Sequence, residues 1–171
     1  DCRELLPTVT ADVLVTDPPY GMNNDGDTRR FTGGSMGAGR RGKGMNRPPT
    51  HGDKEPFDPR PFLGFPEVIM WGCNHFAAAL PVGTTLVWLK RPDHLFGTFL
   101  SDAELAWMKG GHGVYAFRHD WAGFSRIATD VNTVHQNQKP LALMIWCLRK
   151  IKNARSIILD PFMGSGTTLR A

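Results

Sequence analysis

The stretch Ser156-Ile157-Ile158-Leu159-Asp160-Pro161-Phe162-Met163-Gly164-Ser165-Gly166-Thr167-Thr168 decides how the rest of the chain is read. It opens as a short apolar, β-branched run, the mark of a strand. The strand ends on an acid, and a turn holding Gly164 and Gly166 leads into a helix start. Glycines let a backbone approach a ligand closely. Free N–H groups at a helix start can meet a carboxylate or phosphate, while Asp160 can accept hydrogen bonds from an ammonium group. The turn therefore suits a zwitterionic amino-acid moiety. A plain strand-to-helix turn of a nucleotide fold carries the same pattern, so both readings stand.

Working outward, Pro140 to Lys152 reads as a helix, with Pro140 at its first position and Leu141, Met144, Ile145, Leu148 and Ile151 on one face. Asp12 to Thr16 reads as a buried strand that stops at the rigid turn Asp17-Pro18-Pro19. Glu67 to Trp71 and Thr84 to Leu89 are further strands, and Asn74 is placed to cap a short helix running through Leu80. Leu105–Met108 and Val114–Phe117 read as a pair of strands around Gly110-Gly111. Strands alternating with helices imply an α/β fold with a mostly parallel sheet, in one domain spanning residues 1–171. In such sheets ligands sit beyond the carboxyl ends of the strands. Asp17-Pro18-Pro19-Tyr20 and the Asp160 turn both lie at such ends, so one crevice is expected to hold both.

The 171 residues are enough for a real core. Apolar residues are 41% and charged residues 21%, an ordinary globular balance. Leu141 to Leu148, the longest apolar run, is far short of the roughly 20 residues that span a bilayer. Cys2, Cys73 and Cys147 are too far apart for a zinc knuckle or a disulfide framework, and we expect free thiols in a reducing cytoplasm. His51, His75, His94, His112 and His119 lack metal-ligand spacing, so no metal is expected. Trp71, Trp88, Trp107 and Trp146 are read as core, and Trp121, beside Arg118 and His119, as the tryptophan to consider near a polyanion. The chain opens on Asp1 and stops at Ala171 in the first turn of a helix, so it reads as an excerpt whose sheet is incomplete at the C-terminus.

Net charge is +4, compatible with a polyanionic partner. Much of it gathers in a basic loop, residues 26–50, where Gly26 to Pro49 hold seven glycines and six Arg/Lys. Arg29, Arg30, Arg40, Arg41, Lys43 and Arg47 could make phosphate contacts; a solvated insertion would look the same. Residues 109–134 are a possible short target-recognition region, with Arg118, His119 and Arg126 sharing that task.

An aromatic amino nitrogen is a poor nucleophile because its lone pair is delocalised into the ring. Acceptors for its N–H groups favour a tetrahedral nitrogen with the lone pair free. The Asp17 carboxylate and the Pro18 carbonyl are such acceptors, and two consecutive prolines stiffen the turn that carries them. Tyr20 offers a flat face for an extruded base.

Three motifs in one order carry a resemblance: a strand running into Asp17-Pro18-Pro19-Tyr20; His135-x-x-Gln138-Lys139-Pro140 before a helix; and a strand running into Asp160 to Thr168. Together they resemble the DNA amino-methyltransferases (N6-adenine or N4-cytosine specific), in the circularly permuted group whose catalytic motif precedes the cofactor motif. Trp71-Gly72-Cys73-Asn74-His75-Phe76 and Asp102-Ala103-Glu104-Leu105-Ala106-Trp107 are similar to small phage-type members. The resemblance implies a Rossmann-like fold, S-adenosyl-L-methionine as cofactor and double-stranded DNA as partner. It assigns Asp17, Pro18, Pro19 and Tyr20 to the target base. It assigns Asp160, Phe162, Gly164, Ser165, Gly166, Thr167 and Thr168 to the cofactor, with His135, Gln138 and Lys139 bordering its methionine end. For His135 a plain loop residue, and for Lys139 a solvated helix-start lysine, remain open. Asp-Pro-Pro-Tyr is the form more typical of the N6-adenine enzymes. An N4-cytosine enzyme, a truncated DNA-binding relative without turnover, and methylation of RNA or protein are the other readings.

Overall fold

A computed structural model of the chain describes residues 2–22, 52–98, 100–122, 125–126, 138–153 and 155–171. They fall into two compact units, residues 1–18 with 58–171, and residues 19–57.

The larger unit is built on a sheet. Strand β1 (Val13–Thr16) is buried along its whole length, the signature of a strand covered on both faces. Its neighbours run parallel to it. On one side lies β2 (Glu67–Trp71), with Val15 opposite Ile69. On the other lies Ile158–Leu159, with Leu14 opposite Leu159.

Beyond β2 the sheet turns antiparallel. Strand β3 (Gly83–Leu89) and the long strand β4 (Ala103–Arg118) follow in the chain. The first arm of β4 pairs antiparallel with β2, Met70 facing Trp107. The same arm flanks β3, with Thr84 opposite Met108 and Leu89 opposite Ala103, an antiparallel register. The second arm runs along the other side of β3, with Thr85 opposite Val114 and Leu89 opposite Arg118, a parallel register. The two arms expected around Gly110-Gly111 are therefore present, but β3 lies between them. Crossing over β3 needs the sharp turn that Gly110 (φ 82°) and Gly111 (φ 67°) provide, a left-handed conformation that glycine adopts without strain. A Cβ on Gly111 would stand 2.6 Å from the Thr84 hydroxyl, which itself donates to the Gly110 carbonyl at 2.9 Å. A short ribbon, β5 (Trp121–Ala122) with β6 (Ser125–Arg126), follows. Strand β7 is the Ile158–Leu159 edge named above. The parallel strands β2, β1 and β7 form one side of the sheet, which is mixed overall rather than mostly parallel; the fold is α/β, as the sequence implies.

Among the described residues, three short α-helices accompany it: α1 (Cys2–Leu5), α2 (Leu141–Leu148) and α3 (Thr167–Arg170). The core joins Val13, Val15, Ile69, Trp71, Leu86, Trp88 and Ala106 of the sheet to Leu143, Met144 and Cys147 of α2. Trp71 and Trp88 meet edge to face with centroids 6.4 Å apart, a geometry worth about 1 kcal/mol beyond burial. Trp107 is also buried and donates from Nε1 to the Pro81 carbonyl at 3.0 Å. Trp146 stacks on Phe117 at 5.3 Å.

Two expected elements differ. Helix α2 stops at Leu148 rather than Lys152, and Pro140 sits just outside it as an extended N-cap (φ −60°, ψ 140°). Its last turn tightens through Lys150 N–H to Cys147 C=O and Ile151 N–H to Leu148 C=O, at 2.9 and 3.1 Å, the i→i+3 pattern common at helix ends. The buried residues are Leu143, Met144 and Cys147, with Leu148 and Ile151 packed against the core beside them; the buried Cys147 behaves as a small apolar residue. Burial pushes its thiol up to about 12. Secondly, Asn74 caps no helix. It is exposed, and the segment forms two single 3₁₀ turns, Cys73–His75 and Ala77–Ala79, the first entered through Gly72 at φ 73°.

In the second unit, the described residues centre on Asp53, 5% exposed. Its Oδ1 accepts from the backbone N–H groups of Tyr20, Gly21 and Met22 at 3.1, 2.9 and 3.1 Å. Gly21 has φ 79°, and a Cβ there would lie 2.7 Å from the Glu55 carbonyl oxygen. Glycine is thus required on both counts.

Candidate active site

Because β1 and β7 are parallel neighbours in near-level register, the residues that follow them emerge at the same carboxyl edge. Thr16 closes β1, and its hydroxyl donates to Asp160 Oδ1 at 2.7 Å. Asp160 also accepts from the Phe162 N–H at 3.2 Å (Oδ1) and from the Thr168 hydroxyl at 2.6 Å (Oδ2). The carboxylate therefore ties the end of one strand to its own turn and to the start of α3. Burial raises the Asp160 pKa above its usual 3.8; the Thr168, Thr16 and Phe162 donors oppose that shift, and the charge of Asp17 adds to it. Among the described residues no cation pairs with Asp160.

Asp17 anchors a second set of charges. Lys139 Nζ lies 2.6 Å from Asp17 Oδ2 and 2.9 Å from Glu104 Oε2, with its side chain only 10% exposed. Lys90 Nζ holds the other oxygen of Glu104 at 2.8 Å. Charges alternate along Asp17, Lys139, Glu104 and Lys90, each contact within the range of strong charge-assisted bonds. Burial works to raise the Glu104 carboxyl, but the ammoniums of Lys139 and Lys90 prevail and hold it at about 2. The ammonium of Lys139 also lies 5.8 Å from the centre of the Trp71 ring. A solvated helix-start lysine is not what the structure contains.

The remaining candidates distribute as follows. Pro18 is buried, and within the second unit Pro19 and Tyr20 are half-buried. Phe162 is half-buried, with its ring 5.9 Å from that of Phe62. Gly164 (φ 49°) and Gly166 (φ 71°) are both left-handed, and Gly166 caps α3. Ser165 and Thr167 share a hydroxyl–hydroxyl hydrogen bond at 3.0 Å. Gln138 is half-buried beside Lys139 in sequence. His135 and the basic residues Arg29, Arg30, Arg40, Arg41, Lys43 and Arg47 lie outside the described residues.

The expected recognition residues of the 109–134 region fare differently. His119 is buried, 8% exposed, and stacks on Phe117, so it does not present its ring to a partner. Arg118 is engaged by Asp93 at 2.7 Å. Trp121 is half-buried and packs against the core. Only the backbone of Arg126 is described. Among the described residues no His, Cys, Asp and Glu gather into a metal-holding group, and no helix is long and apolar enough to cross a membrane.

Sequence reading did not single out Thr16, Asp53, Glu104 or Lys90. Glu104 stood inside the quoted Asp102–Trp107 segment, and its charge within an apolar strand was the available signal. Asp53, 33 residues from Tyr20, carried none.

Comparison with known proteins places this geometry. Two crystal structures share the fold. One is the M1.HpyAVI–SAM complex, at 19% identity and a TM-score of 0.51, with 98% of this chain and 82% of that one covered. The other is M1.HpyAVI, at 17% identity and 0.50, with 98% and 81% covered. A sequence profile described as DNA methylase matches residues 83–171, more than half of the chain, from β3 through the Asp160 turn into α3. The chain belongs to the DNA methylase family.

Proposed function

We propose that the protein transfers a methyl group from S-adenosyl-L-methionine to the N6 amino group of an adenine flipped out of double-stranded DNA. The observation that carries this reading is the joining of two motifs at one sheet edge: Asp17 follows β1, Asp160 follows β7, and Thr16 bonds the second carboxylate.

The residues present fit the cofactor. Asp160 is a half-buried carboxylate with three hydrogen-bond donors and no cation partner among the described residues, and the methionine moiety brings an ammonium and a sulfonium. Gly164 and Gly166 leave the turn without side chains where a ligand would approach. The Phe162 ring provides an apolar wall. When bound, the cofactor supplies an electrophilic methyl group.

The chain's own residues act on the acceptor. Asp17 has Oδ2 engaged by Lys139, and Oδ1 accepts an N–H of the base amino group. The Pro18 carbonyl accepts the other N–H. Together they draw the nitrogen toward tetrahedral geometry, freeing its lone pair for attack; preorganised acceptors of this kind act without reorganisation at the moment of reaction. Tyr20 supplies the stacking face in this reading. Arg29, Arg30, Arg40, Arg41, Lys43 and Arg47 meet the phosphates, giving a salt-dependent affinity.

The test is nucleoside analysis of unmethylated duplex DNA after incubation with the protein and S-adenosylmethionine. N6-methyladenine is the expected product. N4-methylcytosine would move the acceptor to cytosine, and no methylated base would overturn the reading.

A further inference from the structure

We propose that Lys139 is a positioning residue for Asp17, held in place by Glu104, rather than a ligand of the cofactor. This rests on the reading of Asp17 as the acceptor for the base amino group.

The geometry is a bridge. One ammonium spans two carboxylates at 2.6 and 2.9 Å, and its burial leaves it little other solvation. Two of its three N–H donors are thereby committed. The carboxylates come from distant parts of the chain, Asp17 after β1 and Glu104 on the first arm of β4. Lys139 itself enters from the lead into α2, where Pro140 fixes the backbone. Lys90, just past β3, occupies the far oxygen of Glu104, so Glu104 cannot rotate away from Lys139 without breaking a second ion pair.

The bridge has two consequences for Asp17. The ion pair at Oδ2 sets the plane of the Asp17 carboxylate, and with it the direction of Oδ1. The ammonium also offsets negative charge where Asp17 and Asp160 lie close enough to interact. An aspartate free to rotate would still fold into the same turn but would meet the base amino group in the productive orientation less often. Misplacement of a catalytic group by about 1 Å costs on the order of 100-fold in rate.

The test uses Lys139→Met, Lys139→Arg and Glu104→Gln in the whole protein. It reads methyl-transfer kinetics, S-adenosylmethionine affinity by calorimetry, and the NMR signal of the Lys139 ammonium. Lys139→Met is expected to lower kcat by about 100-fold, with cofactor affinity within about 3-fold of wild type. Lys139→Arg, which can still bridge two carboxylates, is expected to recover most of the rate. Glu104→Gln reaches Lys139 without removing it, so it serves if Lys139→Met does not fold. It is expected to shift the Lys139 ammonium signal and to lower kcat at unchanged cofactor affinity. A loss of cofactor affinity with kcat retained in either variant would overturn the proposal in favour of a cofactor ligand. Equal loss in the Arg and Met variants would also overturn it. If the wild-type protein methylates no DNA, the functional reading fails separately. The ammonium signal then decides the bridge alone, through its response to Asp17→Asn and Glu104→Gln; an unmoved signal in both rejects it.

Discussion

The Thr16 hydroxyl donates to the Asp160 carboxylate at 2.7 Å across 144 residues of sequence. That bond joins the strand leading into Asp17 to the turn that opens α3. Thr16 is 1% exposed, and replacing it leaves the half-buried Asp160 acceptor one donor short. Thr16→Val, of similar shape, is expected to lose about 1.5–3 kcal/mol. A thermal melt is expected to fall by several degrees, at about 3 °C per kcal/mol for a chain this size. A melt at the wild-type midpoint would show that the bond contributes nothing.

Asp160 illustrates a conflict between stability and binding. Burial raises its pKa above the usual 3.8, so the folded state takes up its proton more readily than the unfolded chain. Below the usual value both states are protonated and the group has no effect. As pH rises through the raised folded value, the buried charge becomes a growing burden on the fold. Asp160→Asn should therefore match wild type in acid and gain relative stability toward neutral pH, while losing S-adenosylmethionine binding. Chemical denaturation at several pH values, with calorimetry alongside, checks both halves. A variant that is less stable at neutral pH than in acid, relative to wild type, would contradict the assignment.

The central strands were legible because their patterns are local. Asp12 to Thr16 is a continuous apolar run, and Glu67 to Trp71 and Thr84 to Leu89 carry their own boundaries. The Asp17 and Asp160 turns were legible for the same reason, since prolines and glycines beside an acid act within a few residues. Pairing across the chain was not. Nothing near Leu105 or Val114 indicates that β3 lies between the two arms of β4. The charges of Glu104 and Lys90 have meaning only once β4, β3 and the lead into α2 are side by side. The face of α2 was legible only in part: Met144 is buried and Leu148 and Ile151 pack against the core as expected, but Leu143 and the weakly hydrophobic Cys147 are buried beside them while Leu141 and Ile145 are only half-buried.

The turn of β4 separates two glycine effects. Gly111 has φ 67° and a Cβ position 2.6 Å from the Thr84 hydroxyl, whereas Gly110 has φ 82° and open space around it. Gly110→Ala should cost only the left-handed penalty, about 1–2 kcal/mol. Gly111→Ala should cost clearly more, because Thr84 must also give up its bond to the Gly110 carbonyl. Equal losses in urea titrations of the two variants would contradict this register.

Asp53 should control local order around Tyr20. Three backbone N–H groups converge on one carboxylate oxygen, so Asp53→Ala leaves three donors to find water. Hydrogen exchange at Tyr20, Gly21 and Met22 is expected to accelerate by at least about 10-fold, roughly one charge-assisted bond's worth. Unchanged exchange at those three amides would show that another group organises the segment.

The thiols should divide by burial. Cys73 and Cys147 are buried, with burial pushing them up to about 11 and about 12, whereas Cys2 is half-buried. Alkylation of the native protein near pH 8 should mark Cys2 first, with the other two reacting only on unfolding. Early labelling of Cys147 by mass spectrometry would contradict its place beneath the sheet.

Asp17 carries the account, and its direct test is the rate of methyl transfer to duplex DNA by Asp17→Asn, measured beside its affinity for S-adenosylmethionine. The amide keeps the shape but lacks the charge that pairs with Lys139. The account predicts a loss of about 100-fold or more in rate, the scale of one preorganised electrostatic contact, with cofactor affinity within about 3-fold of wild type. Transfer at the wild-type rate would contradict it.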